Sequence, residues 1–174
     1  MSSIVIVSGW PGTGKTTLSK ALARAEPQGL HLVSDVFYGF PVEPIDPTRR
    51  EAHHQNSVIM RALARSARAL AEGGYSVVLD GVIGPWFLPT LRDELAGGPT
   101  VSYLVLRAPE PEVLRRVRER LGPGASPQVL HMAAAFAELG TLQPHAVDTA
   151  GRSVEEVLSL VQQGLAGGRF RLAW

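Results

Sequence analysis

Apolar residues along this chain fall into short β-branched runs separated by longer stretches of helical period, and the alternation recurs from end to end. Residues 4–7 (Ile-Val-Ile-Val) form the first run, a predicted strand ending at Ser8 and Gly9. After a Gly/Pro turn, Leu18, Ala21, Leu22 and Ala25 recur at helical spacing. They predict a helix over about 14–24, ended by Pro27 and Gly29. Residues 30–33 read as a second strand with Ser34 and Asp35 at its carboxyl end. Pro41, Pro44 and Pro47 exclude regular structure, so 37–47 is expected to be a mobile loop. Helical period returns over about 48–72, with Val58, Ile59, Ala62, Leu63, Ala67 and Leu70 on one stripe. Gly73 and Gly74 stop it.

The second half repeats the scheme. Residues 75–79 form a strand closing in Asp80-Gly81, and a short helix follows, from Trp86 or Leu88 to Leu95. Another strand covers 101–106 and closes at Arg107. Pro109 and Pro111 lead into a helix through Leu121, with Leu114, Val117 and Leu121 as its inward stripe. Residues 122–127 break the chain, and a further helix is expected over about 128–139. Ala146-Val147 is a last short strand ending at Asp148-Thr149. Ser153 and Glu156 have capping-box spacing for a helix through Gln163, with Gly164 as its stop. The pattern leaves 169–174 unassigned.

Strands alternating with helices imply right-handed crossovers. The expected fold is α/β: a three-layer sandwich around a central five-stranded parallel sheet, in one domain covering 1–174. In such sheets ligands bind beyond the carboxyl ends of the strands. Ser8/Gly9, Asp35, Asp80, Arg107 and Asp148/Thr149 all fall at predicted strand ends, so they are candidates for one rim.

Gly9, Gly14, Lys15 and Thr16 fit G-x-x-x-x-G-K-[ST], with the required strand before and helix after. A turn that wraps phosphate needs Gly12 and Gly14, where backbone N–H groups must approach oxygen. The helix start aims its free donors at the anion. Gly12, Thr13, Gly14, Lys15, Thr16 and Thr17 form the expected ATP-binding set. Lys15 reaches for the β- and γ-phosphates, and the Thr16 hydroxyl for Mg²⁺. The fold expected is thus that of a P-loop NTPase.

Asp80 ends a hydrophobic strand as a Walker B acid does. It would serve Mg²⁺ or an acceptor hydroxyl, or cap the next turn. Asp35 has the chemistry of a general base towards an acceptor hydroxyl, or of a turn residue. Arg115, Arg116, Arg118 and Arg120 crowd one helix before the break. A guanidinium on a closing lid, about 115–127, would neutralise a transferring phosphoryl group. Glu112–Arg116 and Arg115–Glu119 are also i,i+4 pairs of an exposed face. Arg116 points most nearly away from the expected stripe, and Arg120 lies on its flank beside the break. His53, His54, Gln55 and Asn56 open the long helix; adjacent histidines face apart, which disfavours a metal. His53 and Gln55 either bind substrate or are simply solvated. Trp10, Phe37, Tyr38, Trp86 and Phe87 lie in rim loops and either wall an organic acceptor or pack the loops.

Composition narrows the partners. The chain has 174 residues, 45% hydrophobic and 19% charged, with net charge +1. That is enough for a core and gives no general attraction to nucleic acid or membrane. Without cysteine there is no disulfide or thiolate metal site. No secretory signal or membrane span is legible, so a cytoplasmic location is expected. The oligomeric state is not legible.

Five stretches in this order, SGWPGTGKTTL, LVSDVFYG, GYSVVLDGV, VSYLVLRAPEPEVLRRVRER and AVDTAGRS, resemble the chloramphenicol phosphotransferase-like group of small P-loop kinases, in the adenylate- and gluconate-kinase-like branch. The likeness spans nearly the whole chain. It implies that Asp35 acts as base, that Arg116 and Arg120 belong to the lid, and that the 148–153 loop lies against adenine, with Thr149 and Arg152 near the base. Residues 37–47 and 86–91 depart from the family, in the acceptor region. The expectation is an ATP- and Mg²⁺-dependent phosphotransferase acting on a small-molecule hydroxyl, with an antibiotic as acceptor. Asp35, Tyr38, His53, Gln55, Asp80 and Trp86 are its acceptor-side candidates. A metabolic sugar-acid or nucleotide kinase and a non-catalytic nucleotide switch are the alternatives. A polynucleotide kinase is disfavoured by the near-zero charge.

Overall fold

The computed structural model describes residues 3–122 and 136–174, except for the side chains of Arg120 and Leu121. Strands β1 (Ser3–Gly9), β2 (Gly29–Val33), β3 (Ser76–Asp80), β4 (Thr100–Arg107) and β5 (Ala146–Asp148) form one sheet, ordered β2-β3-β1-β4-β5. Every neighbouring pair is parallel. All five carboxyl ends therefore share one rim, as the alternation of strands and helices requires.

Two apolar layers cover the sheet because its inner strands alternate faces with period two. Ile4, Ile6, Val77, Leu79, Val101, Tyr103 and Val105 meet helices α3 (His53–Glu72), α4 (Leu88–Leu95) and α5 (Glu110–Leu121). Val7, Val78, Leu104, Leu106 and Val147 meet α1 (Lys15–Ala25) and α6 (Val154–Ala166). The fold is the expected three-layer P-loop NTPase sandwich.

Departures from the sequence pattern have identifiable causes. Phe37 and Tyr38 are not loop residues: Ser34–Tyr38 is a short helix, α2, directly after β2. Residues 39–49 are irregular but anchored. The Gln55 side-chain amide brackets Ile45, accepting from its N–H at 2.9 Å and donating to its carbonyl at 2.8 Å. Asn56 holds the Pro47 carbonyl, and Asp46 accepts from the Thr48 N–H and hydroxyl, which keep its carboxyl below the usual range. A 3₁₀ turn, Arg50–Ala52, replaces the first turn expected of the long helix.

Helix α3 is rotated from its expected stripe. Met60, Ala64 and Ala71 are buried, while Val58 and Ala62 face outwards, because small residues let the helix lie close on the sheet. In α5 the buried pair is Val113 and Val117, not Leu114. Of the helix expected over 128–139, residues 128–135 lie outside the described residues, as do 123–127 of the expected lid. Residues 136–139 are not helical and lead into a 3₁₀ turn, Gly140–His145.

Ser153 and Glu156 do form the reciprocal capping box at the start of α6. Gly164, expected as its stop, lies inside the helix. A Cβ there would stand 2.4 Å from the Phe170 ring, so glycine is required by close approach rather than by termination. The chain then turns back. Phe170 is fully buried, and the tail bonds the amino-terminal half of β4 through Tyr103 N–H to Phe170 O and Leu172 N–H to Val101 O. It covers the stretch of β4 edge that the short β5 leaves unpaired.

That arrangement makes the tail part of the core. Phe170→Ala is expected to lower unfolding free energy by about 3–5 kcal/mol, measured by urea denaturation. A loss below about 1 kcal/mol would show the tail to be a loosely laid cover.

Candidate functional site

Beyond the rim lies a cleft of about 400 Å³. Its floor is the turn from β1 to α1. Gly12 and Gly14 have φ of 86° and 93°, a region where side chains are strained, so these two positions need glycine for conformation. Gly12 also needs it for space: an added Cβ would stand 3.0 Å from Val113 and from Val117. Helix α5 thus closes directly on the turn. The buried Thr13 hydroxyl donates to the Trp10 carbonyl at 2.9 Å, and Lys15 Nζ donates to the same oxygen at 3.0 Å. Thr16 and Thr17 are exposed in the first turn of α1 and line the cleft.

Arg116 was expected to point away from the core stripe. With Val113 and Val117 as the buried pair, it instead reaches the turn, donating to the Gly12 carbonyl at 3.2 Å and to Glu112. It lines the cleft. Arg115 pairs with Glu119 at 2.7 Å on the exposed face, as its spacing suggested. The Arg120 side chain lies outside the described residues.

The two rim carboxylates are in different surroundings. Asp80 is 3% exposed, and its Oδ2 lies 3.0 Å from His31 Nε2 on β2. Asp35 is exposed in the first turn of α2. Both line the cleft. Helix α2 is seated by Ser34, whose hydroxyl sits where a Gly81 side chain would be, 1.9 Å from that Cβ position. Tyr38, half-buried behind Asp35, has its phenol pushed up to about 12, by burial first and then by the Asp35 charge. It stays neutral across ordinary pH. The segment after β3 is held by Ser8, which donates to Ile83 O at 2.6 Å and accepts from Ile83 N–H, and by the Tyr103 hydroxyl on the same carbonyl at 2.9 Å.

Thr149, Arg152 and Ser153 complete the cleft on the α6 side. The Thr149 hydroxyl and N–H both donate to Arg107 O, at 3.1 and 2.8 Å. Arg107 itself leaves the rim, donating to the carbonyls of Phe136 and Ala137. Tyr38, His53, Gln55 and Trp86 do not line this cleft. His53 is exposed at the start of α3, Gln55 brackets Ile45, and Trp86 is half-exposed with its ring 5.6 Å from that of Phe136. Sequence reasoning passed over His31, and it named Ser34 only as a strand end and Glu112 only as an exposed-face partner of Arg116. The signal for His31 was its place as the polar interruption of an apolar run. Its partner was hidden in the strand register.

A family model described as an AAA domain matches residues 5–127. The chain belongs to the AAA domain family. The matched span contains the glycine turn, both rim carboxylates and Arg116. Solved structures are similar over nearly the whole length. A sugar kinase from Janibacter sp. HTCC2649 has 21% identity and a TM-score of 0.70, covering 95% of each chain. A tunicamycin resistance protein from Deinococcus radiodurans has 22% identity and a TM-score of 0.69, covering 100% of each. A gluconokinase from Sinorhizobium meliloti 1021 has 18% identity and a TM-score of 0.64, covering 95% of this AAA domain chain and 93% of its own. No curated protein sequence matches the chain. Among the described residues no helix is long and apolar enough to cross a membrane.

The doubly constrained Gly12 makes a sharp test of the turn. Gly12→Ala adds a strained φ and an overpacked contact, so nucleotide affinity is expected to fall roughly tenfold or more in calorimetric titration with ATP. Lys15→Ala is expected to lose nucleotide binding or turnover. Unchanged affinity and turnover in both would contradict the assignment of the turn.

Proposed function

We propose that this protein is an ATP-dependent phosphotransferase that moves the γ-phosphoryl group to a hydroxyl of a small molecule, with an antibiotic as the acceptor. The observation that carries the reading is the placement of the exposed Asp35 carboxylate on one cleft with Lys15, Thr16 and Arg116. A nucleotide switch needs the glycine turn; it has no use for a solvent-facing carboxylate base on the same cleft.

Each role follows from the surroundings. The N–H groups of the turn and the start of α1 hold polyphosphate. Lys15 balances charge at the β- and γ-phosphates. Arg116 stands over the turn, where a planar guanidinium meets phosphate oxygens. Thr149 and Arg152, which line the cleft on the α6 side, would lie against the base. Thr16 and Asp80 are hard oxygen donors, and no group of three or more His, Cys, Asp or Glu able to hold a metal occurs among the described residues. Such a pair suits Mg²⁺ held mainly by nucleotide and water. Bound there, Mg²⁺ would neutralise phosphate charge.

The acceptor oxygen attacks the γ-phosphorus, the bond to the β,γ-bridging oxygen breaks, and ADP keeps that electron pair. The acceptor's proton passes to Asp35, whose exposure leaves its carboxylate open to the acceptor side. Asp80 is excluded from that task because it is buried and already bonded.

The antibiotic acceptor is supported by the tunicamycin resistance protein, which matches this chain end to end, and by the chloramphenicol phosphotransferase-like motifs. The sugar kinase and gluconokinase likenesses favour a second reading, a metabolic sugar-acid kinase. A mass-spectrometric screen with ATP and Mg²⁺ separates them: a phosphate adduct on an antibiotic is expected, and one on gluconate alone would favour the second. With the acceptor in hand, Asp35→Asn should leave ATP affinity near wild type while phosphorylation falls by about 10²–10⁴-fold. Full activity in that variant would remove Asp35 from the base role.

A further inference from the structure

We propose that His31 is a positioning residue: its Nε2–H holds Asp80 Oδ2 so that the other carboxylate oxygen is presented to a Mg²⁺-bound nucleotide in the cleft. The inference rests on the reading of the cleft as a nucleotide site and concerns a residue outside the motif.

Three observations lead to it. First, His31 is set in an otherwise apolar stretch, between Leu30 and Leu32, which pack against the core. The register pairs His31 with Val78 and Val33 with Asp80. His31 and Asp80 therefore lie on the α1 face of the sheet, diagonally across two strands. The His31 side chain is only 15% exposed, and a polar ring there is costly unless it is bonded.

Second, Asp80 is nearly buried and lines the cleft. An ionised carboxylate only accepts hydrogen bonds, so the 3.0 Å contact is a ring N–H donating to Oδ2. That bond fixes the carboxylate's rotation about its last torsion, which is otherwise broad.

Third, the bond engages Oδ2 of a residue that lines the cleft, so Oδ1 is the oxygen assigned to the nucleotide side. A carboxylate acting on a cation through water needs one oxygen aimed and held, and the partner of the other oxygen supplies the hold. Bulk alone would be provided by leucine. A donor at the length of the histidine ring is what the geometry uses.

The test is a titration of a fluorescent ATP analogue with the full chain, with and without Mg²⁺. His31→Leu keeps the bulk and removes the donor. It is expected to weaken the Mg²⁺ dependence of binding roughly tenfold or more, with metal-free affinity unchanged. His31→Gln, whose amide N–H reaches about as far as Nε2, should restore most of the effect. His31→Asn, which is shorter, should not; this pair decides the matter should the leucine variant fail to fold. In an Asp80→Asn background His31→Leu should add nothing further. Unchanged Mg²⁺ dependence in His31→Leu and His31→Asn, an equal effect in both backgrounds, or no Mg²⁺ effect in the wild type would each overturn the proposal. Intact Mg²⁺ coupling with no acceptor phosphorylated would overturn the phosphotransferase reading and leave His31 standing.

Discussion

The contact on which the site depends is that of the Gly12 backbone with Val113 and Val117. A Cβ at Gly12 would stand 3.0 Å from both valines, so the close seating of helix on turn relies on that side chain being absent. The turn is thereby held between the end of β1 and the face of α5. From the same helix, Arg116 donates to the Gly12 carbonyl. The N–H groups of the turn and a guanidinium are then parts of one packed unit rather than two independent features, and preorganised donors lose little on binding an anion.

Burial divides the labour of the rim carboxylates. Asp80, on a central strand, is withdrawn from water and bonded to its neighbour strand through His31. Asp35, one residue into a five-residue helix, faces solvent. A parallel sheet brings both to one rim because all its strands end on the same side. Their unlike surroundings come from their elements: a central strand is covered by layers on both faces, while a short helix beyond an edge strand is covered on one. A buried, bonded carboxylate suits fixed electrostatics; an exposed one suits proton transfer.

The region beside Asp35 is built differently. Residues 39–49 carry no regular structure, yet Gln55 grips Ile45 as a strand neighbour would, and Asn56 holds Pro47. The polar cluster opening α3 is thus partly spent on shaping this loop. Exposed Phe40 and Val42 extend from it, with the Phe40 ring 5.2 Å from that of Phe37.

The linear chain by itself determined the order of the strands and of the long helices, the parallel sheet, the glycine turn after β1 and the capping box of α6. Each of these is set by local period, by glycine chemistry or by a spacing of three, and such signals lie within a few residues of one another. Only the tertiary structure decided which valine of α5 is buried, that Gly164 makes room for Phe170, that the tail covers β4, and that His31 meets Asp80. The partners in those contacts lie far apart in sequence: His31 and Asp80 are 49 positions apart, and Arg116 and Gly12 are 104. Strand register and helix rotation arise when whole layers pack together, so no local pattern records them.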